Sequence, residues 1–244
     1  MKQLLLVSLI FFLCLMTSFG QNEKSLVVDG NVAVRSVKNF TGIEVSGAID
    51  LFISQGNEEA VAVSASNDDM RDRIKTELSN GILRIYFDSK GINWRGWGNN
   101  KMKAYVTYKV LDKLEASGAC NVKTADPIKQ KELKIEMSGA SDFSGEVVVG
   151  KLTLAASGAS NIKISGTAEN TIIEAHGACN IKGYDLKTDM CKVDASGASN
   201  VRITVNKELN AHASGGSSVY YKGAGLIREI SSSGGASVKR INNE

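Results

Sequence analysis

Proline is nearly missing from this sequence: Pro127 stands alone in 244 residues, against 24 glycines. With 43% of residues hydrophobic, the chain is neither disordered nor a proline-rich linker, and the glycines fit a turn-rich β protein. Histidine occurs only at His176 and His212, and neither position makes a catalytic triad or a zinc site by spacing. Charge of one sign is never concentrated. The formal net charge of +3 is spread without a basic run, which argues against nucleic acid or an anionic membrane as partner. No long hydrophobic span is present either. The apolar run at residues 4–16 would reach only about 20 Å as a helix, short of the roughly 30 Å hydrocarbon layer.

That run follows Met1-Lys2 and leads to Ser18-Phe19-Gly20, the small-x-small form that a signal peptidase accepts. Residues 1–20 therefore read as an export signal removed before Gln21, with no membrane insertion afterwards and a periplasmic, cell-surface or extracellular destination. Cys14 follows the bulky Leu13 inside the run, a poor setting for lipid attachment. The exported chain then holds Cys120, Cys179 and Cys191, an odd number that cannot all pair internally. Small buried thiols are the expectation, with a Cys179–Cys191 pair left open.

Residues 21–110 read as an N-terminal β unit. Stretches 25–34 and 43–53 alternate apolar and polar residues as half-buried strands do. Asn67-Asp68-Asp69 followed by Met70, Ile74 and Leu78 gives an N-cap, early acids and helical spacing, the one expected helix. Asn80-Gly81 predicts a tight turn into a strand at 82–87, and a further strand resumes over 101–110.

What dominates the rest is the phrase Ser-Gly-Ala-Ser-Asn, complete at 157–161 and 196–200. Its central glycine recurs at Gly47, Gly118, Gly139, Gly158, Gly177, Gly197, Gly215 and Gly234, with a first gap of 71 and then gaps of 21, 19, 19, 20, 18 and 19. Counted from that glycine, positions −4, −2 and +4 are apolar (Leu154, Ala156 and Ile162 in one repeat), whereas −3 favours acids and +5 favours Lys or Arg. Such a unit cannot bury its apolar side alone and must stack on copies of itself. One repeat per coil, with strands about 4.8 Å apart and paired in parallel, is a β-helix. Gly118, Gly139, Gly158, Gly177 and Gly197 would round the corners. Asn121, Asp142, Asn161, Asn180 and Asn200 at +3 would form a polar ladder. Residues 111–244 thus read as a repeat β-helix continuous with the N-terminal unit in one folded domain.

The 43–53 segment, the helix near 68–76, the strand at 80–85 and the serial Ser-Gly-Ala-Ser-Asn repeats together resemble the head-GIN domain family of "putative autotransporter adhesins", over about residues 28–242. The resemblance implies a secreted, all-β, single-stranded right-handed parallel β-helix of roughly 19–21-residue repeats, with one short helix in its N-terminal part. It brings no catalytic motif. Departures are His176 in place of the phrase's serine, Ser-Gly-Gly in the last two repeats, and a polar stretch over 231–244 that suits an end cap.

Two functions follow as expectations. The first is an exported, non-enzymatic β-helical protein with an adhesin-like, envelope-binding or structural role, needing no cofactor or metal and meeting a glycan or a surface protein. The alternative is a protein that binds or cleaves polysaccharide along the β-helix flank. Cleavage would need paired carboxylates or a calcium cluster, but the acids Glu115, Glu136, Glu174 and Asp194 at −3 read as a solvated face, and Asp50 and Asp142 belong to distant repeats. The candidate ligand contact is the loop carrying Trp94, Arg95 and Trp97, whose rings either stack on a ligand or cover the open end of the helix.

Overall fold

The computed structural model describes residues 31–92 and 101–241. The expected leader over 1–20 and the loop residues Trp94, Arg95 and Trp97 lie outside the described residues. β1 (Val32–Arg35) is followed by β2 (Gly42–Gly47) and β3 (Ile49–Gln55), so the alternating stretch 43–53 is two strands, broken where Gly47 turns at φ 101°. Next come β4 (Ala60–Ala65), α1 (Asp68–Asp72), β5 (Ile74–Ser79), β6 (Ile82–Phe87) and β7 (Met102–Tyr108). The repeats supply β8 (Lys113–Gly118), β9 (Asn121–Thr124), β10 (Ile128–Met137), β11 (Asp142–Gly158), β12 (Asn161–Gly177), β13 (Asn180–Gly197), β14 (Asn200–Ala213), β15 (Ser218–Lys222), β16 (Leu226–Ser232) and β17 (Ser237–Arg240).

These repeat strands stack in parallel. β11 runs beside β12 with a constant offset from Asp142↔Asn161 to Gly158↔Gly177. β12 beside β13 and β13 beside β14 absorb the uneven repeat lengths as local register shifts after Lys163 and Gly183. The chain is a β-solenoid. Its inside is the apolar half of the alternation: Val122, Phe143, Ile162, Ile181, Val201 and Val219 at +4 are at most 2% exposed. Each such side chain contributes about 1.5–3 kcal/mol of burial, which a lone repeat could not collect.

The first gap of 71 residues has a spatial cause. Gly47 pairs directly with Gly118 through β2 and β8, so no coil is missing between them. The intervening chain leaves the stack and returns on its outer side: β6 pairs in parallel with β2, and β7 with β3, forming a coil beyond the one that precedes it in sequence. Antiparallel strands then cover that end, with β5 on β6, β4 on β7 and β1 on β4.

The helix is shorter than its spacing predicts. Asn67 does cap it, its side chain accepting from the Met70 N–H at 2.9 Å, but α1 stops at Asp72. Ile74 and Leu78 belong instead to β5, because Asn80 (φ 50°) and Gly81 (φ 76°) form the turn that places Ser79 opposite Ile82. Pairing with β6 outweighs the helical spacing, and Leu78 ends 47% exposed. At the other end the polar cap is incomplete. β16 is exposed throughout and leaves Leu226, Ile227 and Ile230 in contact with solvent.

Candidate functional site

Every coil turns at its phrase glycine. Gly118, Gly139, Gly158, Gly177 and Gly197 have φ between 71° and 112°, and the following N–H donates to the glycine carbonyl one coil back, as in Ala159 to Gly139 O at 2.7 Å. A Cβ on Gly158 would stand 2.5 Å from that same oxygen. The +2 side chain points inward and is capped by the corner backbone: Ser160 Oγ donates to Ser157 O at 2.8 Å, and Ser217 Oγ to Ser214 O at 2.8 Å. Cys120 and Cys179 occupy equivalent places, their thiols donating weakly to Ser117 O and His176 O.

At +3 the polar column faces outward and bonds in pairs. Asn121 donates to Asp50 at 2.7 Å, Asn161 to Asp142 at 2.9 Å, and Arg202 to the Asn180 amide oxygen at 3.1 Å. Asn200 Oδ1 is buried and has no partner among the described residues. Asp50 and Asp142 are closer than their sequence separation suggests, with one strand carrying Asn121 between them. An amide donating to Asp50 there is the opposite of what a calcium site needs.

Before the corner, the outward columns at −5 and −3 neutralise each other. Lys113 reaches Glu115 at 2.8 Å and Glu136 at 3.1 Å, and Lys134 reaches Glu136 at 2.9 Å. Burial alone would raise the Glu136 carboxyl, but the hydrogen bonds from Lys134 and Lys113 outweigh it and hold it below the usual range. The Lys113 ammonium is pushed up by its bonds to Glu115 and Glu136. Glu174 and Asp194 continue this column as exposed residues, and Asp194 stands opposite His212.

One contact was not legible from local spacing. His176 Nδ1 lies 2.7 Å from Ser196 Oγ, because both occupy the −1 column on adjacent strands. The 20-residue repeat step that separates them is the signal that would have found it. No carboxylate hydrogen-bonds this imidazole among the described residues, so the pair lacks the orienting group of a triad. Two open depressions flank the coils. One of about 290 Å³ lies among Thr124, Asp126, Ser144, Gly145, Glu146 and Lys163, and one of about 500 Å³ among Asp112, Lys131, Glu132, Lys134 and Lys151. In neither does a serine or threonine hydroxyl hydrogen-bond a lysine or histidine among the described residues. Among the described residues no three His, Cys, Asp or Glu side chains group as metal ligands, and no helix is long and apolar enough to cross a membrane.

The family described as "Putative auto-transporter adhesin, head GIN domain" matches residues 39–225. This chain belongs to the head-GIN family. Its fold is similar to that of solved proteins of low sequence identity. A "putative adhesin" from Bacteroides fragilis is 20% identical with a TM-score of 0.79, the alignment covering 87% of this chain and 98% of that one. A "putative adhesin" from Parabacteroides merdae is 18% identical with a TM-score of 0.68, over 87% and 97% of the two chains. A "putative lipid binding protein" from Parabacteroides distasonis is 20% identical with a TM-score of 0.65, over 87% and 98%. Among curated proteins none matches the sequence. In this head-GIN chain Cys120, Cys179 and Cys191 are all free and buried, which closes the question of a Cys179–Cys191 pair. Burial pushes the Cys191 thiol up to about 12, far from a reactive thiolate.

Proposed function

We propose that the protein is an exported, non-enzymatic β-solenoid that binds a glycan or a protein at a surface, in an adhesin-like or envelope role. The observation that carries this reading is the form of the molecule: successive coils, in register around each corner, present the same outward positions again and again along a flank, with no catalytic constellation among the described residues. Repeated, rigidly spaced contacts suit an extended partner, because each ordered position needs little further ordering on binding. Family membership supports the adhesin-like part, and the apolar run at 4–16 supports export. Trp94, Arg95 and Trp97 are a further proposed contact, resting on residue type alone.

The test is a thermal-shift panel of host and bacterial glycans and surface proteins, with released sugar assayed in the same wells. A partner at a hundred times its dissociation constant raises stability by roughly 2.7 kcal/mol. A shift without product is the expected result, and Trp97→Ala then reports on the loop. Product release would overturn the non-enzymatic reading, and no shift with any partner would overturn the binding role.

A further inference from the structure

The two outward faces beside the corner differ in charge in a way that stacking alone does not require. Before the corner, Lys113 and Lys134 are held by Glu115 and Glu136. After it, position +5 stacks Lys123, Ser144, Lys163, Lys182, Arg202, Tyr220 and Lys239 in register across successive coils. Three cations, Lys163, Lys182 and Arg202, are thus direct cross-strand neighbours. Like charges directly opposite one another weaken a ladder. None of the three has an ion pair among the described residues, and the Arg202 side chain bonds only the neutral amide of Asn180. Of the acids near this face, Asp50 and Asp142 are each bonded by an asparagine, Glu146 shares the smaller depression with Lys163, and Asp185 is exposed three residues after Lys182.

Aromatic rings complete the strip. Tyr184 is half-buried beside Arg202 and Tyr220, and Lys222 Nζ lies 4.9 Å above its ring centre. No large exposed apolar side chain falls on these outward positions. The +5 column is therefore cationic over three successive coils and free of large exposed apolar side chains, with Tyr184 and Tyr220 beside its cations.

We propose that this strip binds a linear anionic polysaccharide, one bearing carboxylate or sulfate groups, laid along the solenoid axis with its acid groups on Lys163, Lys182 and Arg202. The assignment rests on the binding role proposed above and names its ligand class. Coils repeat about every 4.8 Å, so Lys123 to Lys239 spans six steps, roughly 29 Å. A pyranose ring with its bridging oxygen advances by close to one coil. Acid groups on three successive sugars therefore meet Lys163, Lys182 and Arg202, with Ser144 and Tyr220 bounding that run. Duplex nucleic acid fits less well, since it packs one charge per roughly 1.7 Å around a cylinder instead of along a ribbon. A membrane would want an apolar anchor, which the strip lacks.

The experiment measures binding of the purified protein to polygalacturonate and chondroitin sulfate, with neutral dextran, double-stranded DNA and anionic-lipid vesicles beside them. The expected result is salt-sensitive binding of the two charged polysaccharides in preference to the other three. Lys163→Glu with Lys182→Glu should weaken it by about tenfold or more. Lys131→Glu with Lys192→Glu, the same charge change on exposed lysines elsewhere, should stay within about twofold. Unchanged melting temperatures confirm that both double variants are folded. Equal weakening by both pairs would overturn the assignment to this strip, and equal binding of DNA or vesicles would overturn the polysaccharide. If the broader panel yields a neutral glycan or a protein while the charged polysaccharides fail, this inference falls and the binding role stands. If nothing binds in either experiment, both fall.

Discussion

Gly158 meets two demands at one position. Its φ of 71° lies where L side chains are strained, and a Cβ would press to 2.5 Å from the Gly139 carbonyl. That carbonyl cannot retreat, because it accepts the Ala159 N–H at 2.7 Å. Gly81 shares the positive φ, at 76°, but has open space around it. The two effects can therefore be separated. Gly81→Ala should cost about 1–2 kcal/mol from backbone strain alone. Gly158→Ala adds overpacking and should cost about 2–5 kcal/mol. Urea denaturation of both variants checks this, and equal losses would contradict the close approach. The conformational demand is legible in a recurring glycine. The steric one is not, since the clashing oxygen lies 19 residues away in sequence and becomes a neighbour only through stacking. Cys120 and Cys179 show the complement: the repeat position they share with Ser160 is enough to mark them as small, inward corner residues, and both are buried.

Strands and helices show where local pattern competes with pairing. The Asn67 cap and the Asn80-Gly81 turn are local chemistry, and both stand where the residues place them. The length of the helix depends on which partner Ile74 finds, and strand β6 supplies it. On the segment before the corner, the acids at −3 read as a solvated face, and the ion pairs to Lys113 and Lys134 make part of it a network. The Glu136 carboxyl is held below its ordinary value in the folded protein, so its contribution is complete above the unfolded value of about 4.3 and is lost as pH falls through the folded value. Its side chain is 29% exposed, which limits the gain to less than about 1 kcal/mol. Glu136→Gln should therefore be slightly less stable than the parent at pH 7. The gap should narrow as pH falls below the unfolded value of about 4.3 and vanish once Glu136 is protonated in the folded protein too. Denaturant curves from pH 7 downward decide it, and an unchanged gap would contradict the ion-pair account.

Across the whole molecule, period and alternation make the solenoid legible, because a face with a fixed repeat can be buried in few ways. The order of its first coils is not. Nothing in a 71-residue gap says that β6 and β7 stack outside β2 and β3, and it is the pairings of β6 with β2 and β7 with β3, together with that of Gly47 with Gly118, that reveal it. The same holds for charge. A net charge of +3 without a basic run argues against nucleic acid or an anionic membrane and gives no sign of a cationic face, yet stacking brings Lys163, Lys182 and Arg202, spaced 19 and 20 residues apart, onto neighbouring strands. The sequence dilutes what the fold concentrates. The central claim is that this concentrated strip is the binding face, and a lysine-acetylation footprint reads it without any substitution. The protein is labelled alone and with excess polygalacturonate, and each lysine is quantified by mass spectrometry. The account predicts loss of reactivity at Lys163 and Lys182 with Lys131 and Lys192 unchanged, whereas uniform protection, or none at the strip, would contradict it.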